Sequence, residues 1–174
     1  MQMENNTIII GNDHGGYELK KALKDHLEKK GYTVQNIGSD DGEIVRYPYY
    51  ASRVASAVSN HKVPRGILIC STGIGMSIIA NKYQGVRAAL CYSTYQAKMT
   101  SAHNRSNILC LGGRCIGVLE ALDIVDAWLS TPYEGGRHDI SLGLIDDAEK
   151  INFSGENWQP DVPGEQPNET RDSI

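Results

Sequence analysis

Five short apolar runs alternate with stretches of helical periodicity, and this alternation limits the chain to one class of fold. The runs are Thr7–Ile10, Thr33–Ile37, Gly66–Cys70, Val86–Leu90 and Asn107–Leu111. Between and after them, helices are predicted over about 16–30, 50–59, 74–82, 94–103 and 118–129. Leu19, Leu23 and Leu27 recur at four-residue spacing, as do Val54 and Val58, with Ala57 beside them. Leu122, Val125 and Leu129 are the expected inner face of the last helix. Gly31 suits a helix C-cap and Thr94 a helix N-cap. Strands that alternate with helices predict an α/β fold, a parallel sheet covered on both faces and joined by right-handed crossovers.

Such sheets bind ligands at the carboxyl ends of their strands. Three glycine-rich and polar segments follow strands here, at 11–16, 70–75 and 111–114, so all three should share one edge. Cys70 ends the clearest strand and enters Ser71-Thr72-Gly73-Ile74-Gly75. Backbone N–H groups and the start of a helix favour a thiolate there and suit an oxyanion or enediolate. Asp13 can accept a sugar hydroxyl's hydrogen bond or its proton, and His14 can donate to a phosphate oxygen, although the pair alone also fits a solvated loop. His103, with Asn104, ends a predicted helix, where it is either a general acid or a plain C-terminal cap. Arg114 after Gly112-Gly113 and Arg137 after Gly135-Gly136 are phosphate-clamp candidates, and each also fits a surface salt bridge.

Other chemistries fit poorly. The Cys70 loop is no Walker A motif, and Ile78 breaks Gly-x-Gly-x-x-Gly. Met76 stands where a thiol phosphatase would carry arginine. The four cysteines, Cys70, Cys91, Cys110 and Cys115, contain no Cys-x-x-Cys pair; four reduced thiols and no metal are expected. A net charge of −4 offers no global attraction to nucleic acid or anionic membrane. No apolar run approaches a membrane span, and the N-terminus lacks a signal-peptide pattern, so a cytoplasmic protein is expected. Residues 1–150 are expected to form the folded domain. Residues 151–174, with three of the six prolines, are expected to form a polar, partly extended or disordered tail, with Phe153 and Trp158 as its packing residues.

Taken together, Gly11–Gly16, Tyr47–Ala51, Ile69–Ser77, Ala80–Lys82, Gly85–Ala88, His103-Asn104 and Tyr133–His138 resemble the ribose-5-phosphate isomerase B and galactose-6-phosphate isomerase family over roughly residues 7–150. The resemblance implies a Rossmann-like three-layer sandwich with a parallel central sheet. It also implies a homodimer, in some members a tetramer, with active sites shared between subunits. The implied reaction is cofactor-free aldose–ketose isomerisation of a phosphorylated sugar, through ring opening and a cis-enediolate. Carried onto matching positions, Cys70 would be the base. Thr72 and the amides of Ser71, Gly73 and Gly75 would hold the enediolate oxygens. His103 with Asp13 would open the ring, Asn104 and Tyr47 would line the sugar, and His14, Arg114 and Arg137 would hold the phosphate.

Three positions depart from the family pattern: Ser71 where glycine is common, Arg46 where aspartate is common, and Ser141 where many members carry a further phosphate-binding arginine. Arg46 is therefore a candidate substitute for that charge. A pentose phosphate is the default substrate, with allose, galactose and tetrose phosphates as alternatives. A sugar-phosphate-binding protein without activity would have no need of Cys70, Thr72 and His103 together.

Overall fold

A computed structural model describes residues 6–153. Five parallel strands form one sheet: β1 (Thr7–Asn12), β2 (Thr33–Asn36), β3 (Arg65–Cys70), β4 (Ala88–Leu90) and β5 (Ile108–Gly112), in spatial order β2-β1-β3-β5-β4. The helices are α1 (Tyr17–Lys29), α2 (Tyr47–Ser59), α3 (Ile74–Ala80), α4 (Thr94–Asn104), α5 (Val118–Ser130) and α6 (Arg137–Asn152). The sandwich expected from the alternating runs is present.

The two-residue period of the strands distributes the core between two layers. Ile8, Ile10, Ile67, Ile69, Leu109 and Leu111 face α1 and α5, where Leu19, Leu23, Leu27, Ile124 and Trp128 complete one apolar cluster. Ile9, Leu68, Cys70, Ile108 and Cys110 point the other way and pack with Val54, Val58 and Met76 of α2 and α3. Burying such a side chain contributes about 1.5–3 kcal/mol. Cys70 is the last residue of β3 on the α2–α3 side.

Several elements differ from the sequence expectation. Helix α2 starts at Tyr47, within the stretch expected to be irregular, because Pro48 in its first turn has no N–H to satisfy and a preset φ. Helix α3 stops at Ala80, two residues short of Lys82. Ser93, not Thr94, caps α4 by accepting the Gln96 N–H. In α5 the deeply buried residues are Ala121, Ile124, Val125 and Trp128, while Leu122 and Leu129 pack at the margin. The indole N–H of Trp128 donates to Ser106 Oγ at 2.8 Å, so the ring buries without an orphaned donor.

Helix α6 has no counterpart among the expected helices. It buries only Leu142 and leaves Ile140, Leu144 and Ile151 exposed, so it carries almost no apolar periodicity. Ile151 and Asn152, assigned to the tail, belong to it, and Phe153 is its C-cap, donating its N–H to the Glu149 carbonyl at 3.0 Å; the rest of that segment, Trp158 included, lies outside the described residues. Among the described residues no helix is long and apolar enough to cross a membrane.

Candidate active site

The neighbours of β1 are β2 on one side and β3 on the other, so connections diverge at β1 and leave a crevice at the strands' carboxyl ends. The three glycine-rich loops meet there. The Asp13 N–H donates to the Ile69 carbonyl at 3.1 Å, Gly113 N–H to the Cys70 carbonyl at 2.8 Å, and Arg114 N–H to the Ser71 carbonyl at 3.0 Å. The close approach depends on glycine. A Cβ on Gly15 would lie 2.3 Å from Ser71 Oγ, and one on Gly113 would lie 2.5 Å from the Gly15 carbonyl oxygen.

Cys70 is buried, and the Gly73 N–H donates to its Sγ at 3.0 Å. Gly73 is left-handed, at φ 74°, which turns the chain sharply enough to bring its amide back over the sulfur. Thr72 Oγ1 accepts the Ile74 N–H at 3.3 Å. With only seven residues, α3 has a small macrodipole, so single oriented N–H groups are the main electrostatic feature of this loop. All cysteines among the described residues are free. Burial pushes the Cys91 thiol up to about 11 and the Cys110 thiol well above its ordinary value, so both stay protonated at neutral pH.

Asp13 is nearly enclosed and its Oδ1 accepts the Gly15 N–H at 2.8 Å. Burial raises its pKa, and the Gly15 amide, His14 and Arg114 only partly offset that. Asn12 helps set the loop: its Nδ2 donates to the Asp13 carbonyl at 2.8 Å and to the Ser39 carbonyl at 3.1 Å. His14 Nδ1 lies 3.3 Å from the Val45 carbonyl oxygen, which brings the segment carrying Arg46 and Tyr47 to the rim. The Tyr47 ring lies over Gly75, where a Cβ would be 2.8 Å from two ring carbons. Asp13, His14, Tyr47, Cys70, Ser71, Thr72, Gly73, Gly75 and Arg114 thus share one edge, with Arg46 next to Tyr47 at its margin.

His103, Asn104 and Arg137 do not join them within one chain. Helix α4 starts just past the carboxyl end of β4 and runs back antiparallel to the strands, so eleven residues carry His103 and Asn104 about 15 Å toward the opposite edge. There the His103 ring stacks on His138, with centroids 4.2 Å apart and planes 12° apart. Each Nε2 lies 3.6 Å from Glu134 Oε2. Arg137 begins α6 beside them. Ligand atoms of His103, Glu134 and His138 all lie within 4.8 Å of one another, a grouping hidden in sequence because the residues come from two distant segments. The rings are nearly parallel, so their in-plane lone pairs run side by side and do not converge on one cation.

Two residues of the Cys70 edge escaped the sequence reading. The Tyr92 hydroxyl donates to the Thr72 carbonyl at 2.5 Å, and Cys115 Sγ lies 3.5 Å from the Ser71 carbonyl oxygen. Tyr92 follows β4, so the carboxyl-end rule applied to a fourth loop would have found it.

The family model described as ribose/galactose isomerase matches residues 8–145. Ribose-5-phosphate isomerase B of Escherichia coli (strain K12) is 47% identical over 138 residues, covering 79% of this chain and 93% of that protein. D-erythrulose-4-phosphate isomerase of Pectobacterium atrosepticum is 41% identical over 148 residues, covering 84% and 93%. The solved structure of Clostridium thermocellum ribose-5-phosphate isomerase B is 49% identical with a TM-score of 0.82, covering 83% of this chain and 98% of that one. This chain belongs to the ribose/galactose isomerase family.

Proposed function

We propose that this sugar-phosphate isomerase interconverts ribose 5-phosphate and ribulose 5-phosphate, with Cys70 as the base. The observation that carries the reading is the Cys70 sulfur at the sheet edge, held by an N–H at 3.0 Å in a loop of further amides. In the open-chain aldose, Sγ takes the proton from C2. The C2–H electron pair becomes the C1=C2 bond, and the carbonyl pair moves to the C1 oxygen. The enediolate is held by Thr72 and the amides of Ser71, Gly73 and Gly75. The C2 hydroxyl's proton passes to the C1 oxygen, and as the C2 oxygen re-forms a carbonyl the C1=C2 pair takes the proton back from Sγ at C1, giving the ketose. Fixed donors aimed at a developing oxyanion supply a large share of such a rate. The substrate brings its own electrophile, so no cofactor takes part.

The ring-opening acid His103, with Asn104 and Arg137, comes from a second copy of the chain. Asp13, Tyr47, His14 and Arg114 come from the first, and Arg46 adds charge at the rim. Exposed Ile74 and Ile78, one turn apart on α3 beside the Cys70 loop, suit burial against that copy. The protein acts as a cytoplasmic homodimer. Its relatives include an enzyme named for a four-carbon sugar phosphate, so the test is a panel of four-, five- and six-carbon aldose phosphates. Ketose phosphate should form fastest from ribose 5-phosphate, and Cys70→Ser should bind the sugar but barely turn it over. A faster tetrose or hexose phosphate would refute the substrate, and a fully active C70S would refute the base.

A further inference from the structure

Three consecutive carbonyls on the loop leaving β3 each have a donor. Cys70 and Ser71 receive backbone N–H groups, from Gly113 and Arg114. Thr72 receives a side chain, the phenol of Tyr92, at 2.5 Å. The Thr72 carbonyl and the Gly73 N–H belong to the same peptide unit. A trans peptide points its C=O and N–H in opposite directions, so the group that holds one end aims the other. The aimed end is the Gly73 N–H, 3.0 Å from Cys70 Sγ.

We propose that Tyr92 is a positioning residue for Cys70: its hydroxyl clamps the Thr72–Gly73 peptide in the orientation that presents the Gly73 N–H to the sulfur. The clamp has something to oppose. Gly73 has positive φ and no Cβ, so rotation of the preceding peptide is open to it as to no other residue type. The rotated peptide would set a carbonyl oxygen against the sulfur, which a thiolate would repel. The O–H also polarises the peptide, and linked hydrogen bonds strengthen one another by about 10–30%. Tyr92 is itself anchored, because its backbone N–H donates to Gln96 Oε1 at 2.7 Å in the first turn of α4. Partial burial, and then the neighbouring Cys115 and Cys70 sulfurs, raise the phenol's pKa, so it remains a donor at neutral pH.

The proposal rests on the reading of Cys70 as the base, and labelling separates the two. Iodoacetamide modification at neutral pH can be followed residue by residue, because trypsin places Cys70 in 66–82, Cys91 in 88–98, Cys110 in 106–114 and Cys115 in 115–137. Tyr92→Phe removes one oxygen and keeps the ring. It should lower kcat and slow Cys70 labelling, each by about three- to tenfold, the range of one hydrogen bond. KM should stay within about twofold. A merely structural role would lower the melting temperature without slowing the labelling of Cys70 in protein that remains folded. Unchanged or faster Cys70 labelling in Y92F would overturn the clamp, and would leave the base reading intact as long as C70S is inactive. An active C70S would overturn both. If Y92F does not fold, amide hydrogen exchange on the wild-type protein decides. A Gly73 N–H exchanging as slowly as strand amides supports the clamp, and one exchanging as fast as an exposed loop amide overturns it.

Discussion

Gly73→Ala tests the Cys70 loop through its backbone. Two costs can be separated. Gly73 sits at φ 74°, where an L-residue costs about 1–2 kcal/mol. The new Cβ would also lie 2.6 Å from Leu90 Cδ1 and 2.8 and 2.9 Å from the carbonyl carbon and oxygen of Leu111. The leucine side chain can turn away, but Leu111 is backbone of the buried strand β5, so the loop must yield. Overpacking of this kind costs about 1–3 kcal/mol. The total is about 2–5 kcal/mol. Gly31→Ala is the matched control: its φ is 87°, yet nothing lies within 4 Å of a Cβ there, so only the first cost applies. In a domain of this size each kcal/mol moves the melting temperature by about 2–4 °C. G73A should therefore melt several degrees below G31A, and should lose far more turnover, because the displaced loop carries the amide that faces Cys70. Equal melting temperatures for the two variants, with G73A fully active, would refute both the packing and the role given to that amide.

Asp13→Asn keeps the acceptor for the Gly15 N–H but removes a buried ionisation. Because the folded pKa of Asp13 is raised, the native state binds its proton more tightly than the unfolded chain. Stability from this group therefore falls as pH rises from about 4 through the folded value. D13N should flatten that slope in urea titrations, match or exceed wild-type stability at neutral pH, and lose activity; a steeper slope would contradict the burial argument. His103→Ala should slow turnover from the cyclic aldose more than solvent exchange from the open-chain ketose. Mixing H103A with C70S under subunit exchange should restore activity, since one intact site then forms per mixed dimer, and no recovery would place both residues in the same subunit. Arg46→Ala should raise KM for the phosphorylated sugar by about tenfold with kcat little changed, as expected for a lost charge-assisted contact. An unchanged KM across the sugar panel would remove Arg46 from the site.

Strands and inner helices were legible in the sequence because their burial is two-sided or strongly periodic. Ile8–Ile10 and Ile67–Ile69 are continuous apolar runs since both faces of the sheet are covered. Helix α6 was not legible because Leu142 alone reaches the interior. The Cys70 loop was visible from its density of glycine and hydroxyl residues, which tight turns and close approaches require. Tyr92 was not, because β4 has three residues, all half-buried, and its loop has no glycine to mark it. The separation of His103 from Cys70 was latent in the topology, since a helix that follows a parallel strand must run back toward the amino edge. Motif matching brings the two residues into one site without asking which subunit supplies each.

That reversal of α4 ties the proposed chemistry to mass action. On the proposed reading a lone chain would carry halves of two different sites, with Cys70 at one end and His103 at the other, and no rotation of a side chain spans about 15 Å. Turnover per chain should then depend on total protein. It should be constant while dimers persist and fall in proportion to concentration once the protein is diluted below its dimer dissociation constant. Substrate bound across both copies would oppose that loss, so the sugar phosphate should tighten the dimer it needs.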